Sequence, residues 1–126
     1  MAVAEKPLYY LSIHEAQQLI KDRKLSPLEL TRAVLDRIAA VDDKLHAYIN
    51  LMADSAMAEA RAAEAEIQKG NWRGPMHGIP IAVKDQLDVD GAPARIRQFT
   101  KGVGDATAVR KLREAGAVMM GKLHMS

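Results

Sequence analysis

The sequence predicts an α/β fold in which helices come first and a strand, a crossover helix and a second strand follow. Three observations predict it. Two serine-led helix starts lie in the first thirty residues or so, each followed by apolar residues at helical spacing. Two short apolar runs, 79–83 and 117–120, have the length and continuity of strands covered on both faces. A helical segment over 106–115 lies between those runs, which is the connection that parallel neighbours require.

The elements follow in order. Ser12-Ile13-His14-Glu15 fits a capping box, and Ile13, Ala16, Leu19 and Ile20 then share one face of a helix reaching about Arg23. Ser26-Pro27-Leu28-Glu29 is a second box with proline at the first helical position, where its missing N–H costs nothing. Leu28, Thr31, Val34, Leu35, Ile38 and Val41 continue that helix. Residues 47–51 have strand character. An alanine-rich helix over about 54–69 is closed by Gly70. Gly74-Pro75 marks a turn in the loop 71–78. The strand 79–83 runs into Lys84, and 88–104 reads as irregular because of Gly91, Pro93, Gly102 and Gly104. Asp105 is expected to cap the helix 106–115, and Gly116 to end it before the strand 117–120. The whole reads as a single domain over 1–126, mainly helical in 10–70, with a sheet core starting in 74–126. Because Ser126 stands only a few residues past the last strand, that strand is expected at an unpaired sheet edge in an incomplete architecture.

Composition narrows the function classes. The 126 residues are 48% hydrophobic and 27% charged, a soluble globular balance, and only 4% aromatic, so the core must come from Ala, Leu, Ile, Val and Met. A net charge of +2, with both signs interspersed, points to no nucleic-acid surface. Cysteine is absent, which excludes disulfides and thiolate chemistry. Apolar runs reach about five residues, against the roughly 18 of a membrane span, so no membrane association is expected and a cytoplasmic location is the default.

The chemistry narrows to one residue. His14, His46, His77 and His124 have no metal-ligand spacing and read as surface or packing residues, and neither metal nor cofactor is expected. Ser12 and Ser26 read as helix caps, Ser55 stands at a helix start, and no serine sits in G-x-S-x-G. Lys84 is different. It follows an apolar strand at the carboxyl end, where α/β sheets place ligands, and an amine there is suited to proton transfer. Its structural alternative is an ion pair with Asp85 or Asp88, or a stem that snorkels to water.

The run "GPMHGIPIAVKDQLDVDG", residues 74–91, resembles the G-P-L-H-G-I-P-I-A-V-K-D block of the amidase signature family. "LSPLELTRAVLDRIAAVDDKLHAYI" is similar to that family's N-terminal helical segment. "DATAVRKLREAGAVMMGKLHMS" resembles its D-A-T-x-V-x-x-L-x-x-A-G-A-V-x-x-G-K-x-x-M segment. The similarity runs in order over about 10–126. It implies the amidase signature fold, whose mixed sheet is flanked by helices, and a hydrolase of amide C–N bonds working through a Ser–cis-Ser–Lys triad. Lys84 stands at the position of the triad lysine, which accepts the nucleophile's proton through the bridging serine. The two serines belong to a later Gly/Ser-rich segment, and no such run occurs in this sequence. Between 94 and 104 the sequence "ARIRQFTKGVG" has arginines where the family carries a hydroxyl-rich patch.

Three expectations follow. The first is the N-terminal part of an amidase-type enzyme, inactive by itself, acting on a small-molecule amide only when completed. The second is a non-catalytic assembly module. The third is one half of a split amidase whose second chain supplies the serines. Uncovered strand faces also imply a homo-oligomer.

Overall fold

The computed structural model describes residues 6–92 and 104–124. The element order is α1 (Ile13–Lys21), α2 (Pro27–Leu45), β1 (Tyr48–Leu51), α3 (Ala53–Gln68), β2 (Pro80–Lys84), α4 (Thr107–Glu114) and β3 (Val118–Leu123), with a 3-10 turn at Leu8–Tyr10 ahead of α1. All the predicted helices and strands are present within a few residues of their expected bounds. The segment 94–103, where the sequence departs from the family pattern, lies outside the described residues, as does Ser126.

Ser12 starts α1 through a complete capping box. Its hydroxyl accepts the Glu15 N–H at 3.0 Å and Glu15 accepts the Ser12 N–H at 2.9 Å. The Lys6 ammonium also donates to Glu15 at 2.8 Å. The second box forms in half. Ser26 accepts from the N–H groups of Leu28 and Glu29 but lacks the reciprocal bond from its own N–H to the Glu29 carboxylate, and its hydroxyl proton goes to Glu64 on α3. The serine thereby ties α2 to α3. On α1, Ala16 and Ile20 are buried in a cluster with Leu25, Leu30, Ile67 and Ile79.

Alanine sets the distance between helix and sheet. Ala56, Ala60, Ala63 and Ile67 recur at helical spacing along α3 and are buried. Ala56 and Ala60 pack on Val118 and Met120 of β3, while Leu35 and Ile38 of α2 close the same cluster. Short side chains let the helix lie close to the strand.

The sheet has the order β1-β3-β2, with β2 parallel and β1 antiparallel to β3, so it is mixed. This corrects one expectation: the last strand in sequence is central and the edges are β1 and β2. Edge placement of β2 suits Pro80, which has no N–H to give a neighbour. A second correction concerns Asp105. It does not cap α4, whose N-cap is Ala106; its carboxylate accepts the Asp90 N–H at 2.7 Å and pairs with Arg113 at 2.9 Å. A guanidinium is a stronger partner for a carboxylate than one more helix N–H.

Register within the parallel pair is broken once. Ile81 lies opposite Met119 and Val83 opposite Lys122, so two steps on β2 match three on β3. The extra residue is a β-bulge. Without it, residues three apart would point to opposite faces. With it, Met119 and Lys122 return to the face of Ile81 and Val83. The bulge needs Gly121. Its φ is +151°, and a Cβ there would stand 2.1 Å from the Asn50 carbonyl oxygen on β1.

Two outcomes test this description. Gly121→Ala should lower unfolding free energy by about 2 kcal/mol or more in urea denaturation, since neither the backbone angle nor the β1 carbonyl can yield cheaply. The Glu15 carboxyl is held down from 4.5 to about 2, chiefly by the Lys6 hydrogen bond and next by the Ser12 N–H. Its folded value is depressed, so its contribution is complete above pH 4.5 and fades as pH falls toward 2. Carboxyl NMR should show Glu15 titrating near the lower value; titration at the ordinary value would mean the box is open in solution.

Candidate functional site

Lys84 is the last residue of β2, at the carboxyl end of the parallel pair. Side chains alternate along a strand, so buried Val83 turns toward the apolar cluster and Lys84 away from it. The lysine is exposed, and its Nζ lies 3.4 Å from the His124 carbonyl oxygen. The Lys84 carbonyl accepts the Leu87 N–H at 3.0 Å, which turns the chain immediately after the strand. Residues 85–92 then form a loop that ends in an antiparallel bridge between Val89 and Ala92.

A second lysine sits behind this strand end. Lys122 is fully buried on β3, and its Nζ donates to the Ala92 carbonyl at 2.8 Å and faces Asp85 Oδ1 at 3.4 Å. Asp85, itself 4% exposed, also donates its N–H to the Leu123 carbonyl at 2.9 Å. A buried ammonium demands acceptors, and both lie on the loop that follows Lys84. Sequence reading weighed Asp85 as a partner of Lys84; in the structure it faces Lys122.

The loop entering β2 is fastened by His77, which is fully buried. Its Nδ1 accepts the Arg73 N–H at 3.0 Å, so the proton belongs on Nε2, which donates to Glu66 Oε1 at 3.0 Å. The Arg73 guanidinium reaches the other Glu66 oxygen at 2.7 Å and, with His77, holds that carboxyl below its ordinary range. Gly116 makes room for the ring: a Cβ there would stand 2.4 Å from His77 Cδ2. The Gly116 carbonyl accepts the Gly78 N–H at 2.9 Å. One side chain thus joins α3, the loop 71–78 and the turn before β3.

A cavity of about 160 Å³ lies beside this cluster, lined by Glu59, Glu66, Arg73, His77 and Arg113. Its charges are matched: Arg73 pairs with Glu66, and Arg113 with Glu59, each at 2.7 Å. Lys84 does not line it. Among the described residues, no group of three His, Cys, Asp or Glu could hold a metal ion, and no helix is long and apolar enough to cross a membrane. Three serines are already engaged: Ser12 and Ser26 cap helices, and Ser55 donates to the Met52 carbonyl at 3.2 Å.

The sequence singles out Lys84 by its place after an apolar run but gives no sign of the buried Lys122 or of the two-sided bonding of His77. Lys122 follows a glycine in what looked like the tail of an apolar strand, so the strand was expected to stop at 120. His77 carries no spacing signal, since one partner is a backbone N–H 4 residues back in the same loop and the other is Glu66, 11 residues back on α3.

A model of the amidase family matches residues 29–126. The chain is 44% identical to a glutamyl-tRNA(Gln) amidotransferase subunit of Moorella thermoacetica, over 94% of its own length and 25% of that protein's. It is 36% identical to an amidase of Pseudomonas putida, over 90% of its length and 25% of that enzyme's. The peptide amidase of Stenotrophomonas maltophilia superposes with a TM-score of 0.81 at 34% identity, over 95% of this chain and 26% of the other. An amidase family protein of Bacillus anthracis superposes at 0.82 with 32% identity, over 99% and 26%. The chain therefore spans about a quarter of the length of these relatives.

Replacing the buried imidazole tests its role. His77→Phe keeps the volume but strands the Arg73 N–H, and should lower unfolding free energy by about 1–3 kcal/mol. His77→Ala adds a cavity and should cost more. Guanidinium titrations of both variants check the order; equal, negligible losses would mean the hydrogen bonds carry nothing.

Proposed function

The chain belongs to the amidase family, and on that footing we propose that it is the part of an amide-bond hydrolase that supplies the lysine of a Ser–cis-Ser–Lys triad, at Lys84. The observation that carries the proposal is the position of Lys84. It is an exposed amine at the carboxyl end of a parallel strand, in the sequence block by which the chain resembles the amidase signature enzymes.

In this reading residues 1–126 are the N-terminal portion of one amidase signature domain, with 10–70 mainly helical and 74–126 opening the sheet core. The two serines come from a Gly/Ser-rich segment outside these residues, whether on the same polypeptide or on a partner. The nucleophilic serine gives its proton to the bridging serine, which passes one to the Lys84 side-chain nitrogen. The serine oxygen attacks the amide carbonyl carbon. The C–N bond breaks, the leaving amine takes up the proton, and water or ammonia releases the acyl group from the ester. Residues 1–126 hold the base but neither the nucleophile nor the oxyanion donors, so by themselves they perform no hydrolysis. The free edge of β2, which has no partner strand among the described residues, is where the completing part adds to the sheet.

A chimera tests the assignment. Residues 1–126 replace the corresponding quarter of the Pseudomonas putida amidase, and ammonia release from a simple amide is measured. The chimera should be active, and Lys84→Met should lower kcat by about 10³-fold or more, as expected for loss of a group that acts in a catalytic unit. An active chimera indifferent to Lys84→Met would refute the role. Hydrolysis by the unsupplemented 126-residue chain would refute its inactivity.

A further inference from the structure

The reading of Lys84 as a proton relay leaves open what fixes its amine in place. Lys84 has an exposed side chain, and its Nζ approaches the His124 carbonyl at 3.4 Å. A hydrogen bond of that length at the surface holds an amine only weakly. The chain on either side of it is locked instead.

We infer that Lys122 is a positioning residue for Lys84, acting by clasping both ends of the loop 85–92 with one buried ammonium. The inference rests on the proposed role of Lys84. It stands on three observations. Asp85, the residue after Lys84, faces Lys122 Nζ at 3.4 Å, and Ala92, the last residue of the loop, accepts from the same nitrogen at 2.8 Å. Lys122 is fully buried, so water offers its ammonium no replacement for either acceptor. The β-bulge at Gly121 is what turns Lys122 onto the face of Val83 and the loop. In an unbulged strand that side chain would point to the opposite face.

The loop is then held at three levels. The Asp85 N–H donates to Leu123 on β3, and the Val89–Ala92 bridge closes the far end. The Asp90 N–H donates to Asp105, which pairs with Arg113 on α4. Lys122 is the element that joins the first and last residues of the loop to each other and to the central strand. The Lys84 backbone is fixed between Val83 in the sheet and Asp85 in the clasp, which sets the point and the direction from which its side chain leaves the strand end. Catalytic groups are placed this way by neighbours whose own geometry is over-determined.

The test uses the 126-residue chain and two readouts. Hydrogen exchange follows the amides of Asp85, Leu87 and Ala92 against those of α1. Acylation by a limiting amine reagent, read by mass spectrometry, compares Lys84 with Lys44, an exposed lysine at the end of α2. Lys122→Met should speed exchange at the three loop amides about tenfold or more, leaving α1 unchanged. It should also change the Lys84 to Lys44 acylation ratio by about threefold or more. Lys122→Arg, which can still donate to both acceptors, should restore both readouts in part. Should Lys122→Met fail to fold, Asp85→Asn releases one end of the clasp, and exchange should rise at Asp85 and Leu87 but not at Ala92. Unchanged loop amides, or a loosened loop with an unchanged Lys84 ratio, would overturn the inference. The two readings fail separately. An active chimera that tolerates Lys84→Met removes the catalytic role while the clasp persists. A required Lys84 whose reactivity ignores Lys122→Met removes the positioning role alone.

Discussion

The ammonium of Lys122 has no contact with solvent, and a charge in such a place is tolerated only where acceptors converge on it. The convergence explains much of the local architecture. Asp85 must follow β2 directly, and the chain must return by Ala92 so that its carbonyl meets the same nitrogen. The side chain must reach that face of the sheet, which requires an extra residue in β3, and the extra residue requires a glycine where β1 passes closest. Apolar groups then fill the surroundings: Val83, Val89, Ala92, Val109 and Met119 form one buried cluster around the stem of the loop. The polar clasp specifies the arrangement, and the apolar contacts supply the driving force.

The other face of the sheet is organised by size instead of charge. Alanines of α3 meet Val118 and Met120, and α2 closes the layer. The loop into β2 is tied to α3 by His77 through hydrogen bonds at both ring nitrogens, with Gly116 cut away to admit the ring. Entry to β2 is thus fixed by an imidazole and exit from it by an ammonium. Between them lie five residues, and the last is Lys84.

Local signals carried most of the fold into view from sequence. Ser12 with Glu15, Pro27 at a first helical position and Gly70 after α3 are short-range devices whose partners lie within a turn, so spacing reveals them. The parallel pairing of β2 with β3 was also legible, because apolar runs flanking a helix leave few alternatives. What sequence could not show were the long-range choices. Ser26 gives its hydroxyl proton to Glu64, 38 residues away, and Asp105 prefers Asp90 and Arg113 to its own helix. The central place of β3 depends on β1 crossing back to pair with it. At the site, Lys84 was visible because an amine ends an apolar run. Lys122 was hidden because a bulge changed the parity of the strand, and parity is the signal that sequence reading uses.

The family likeness points to a chemistry, and the structure shows a buried ammonium joining the two ends of the loop that follows Lys84. Lys122 and Asp85 are expected to act as one energetically coupled unit. A double-mutant cycle of Lys122→Met and Asp85→Asn, followed by urea denaturation, measures that coupling directly. A favourable interaction of about 1–3 kcal/mol is expected, with the double variant less destabilised than the two single changes summed. Additive losses, with a coupling near zero, would contradict it and reduce the buried ammonium to a bystander of the strand end.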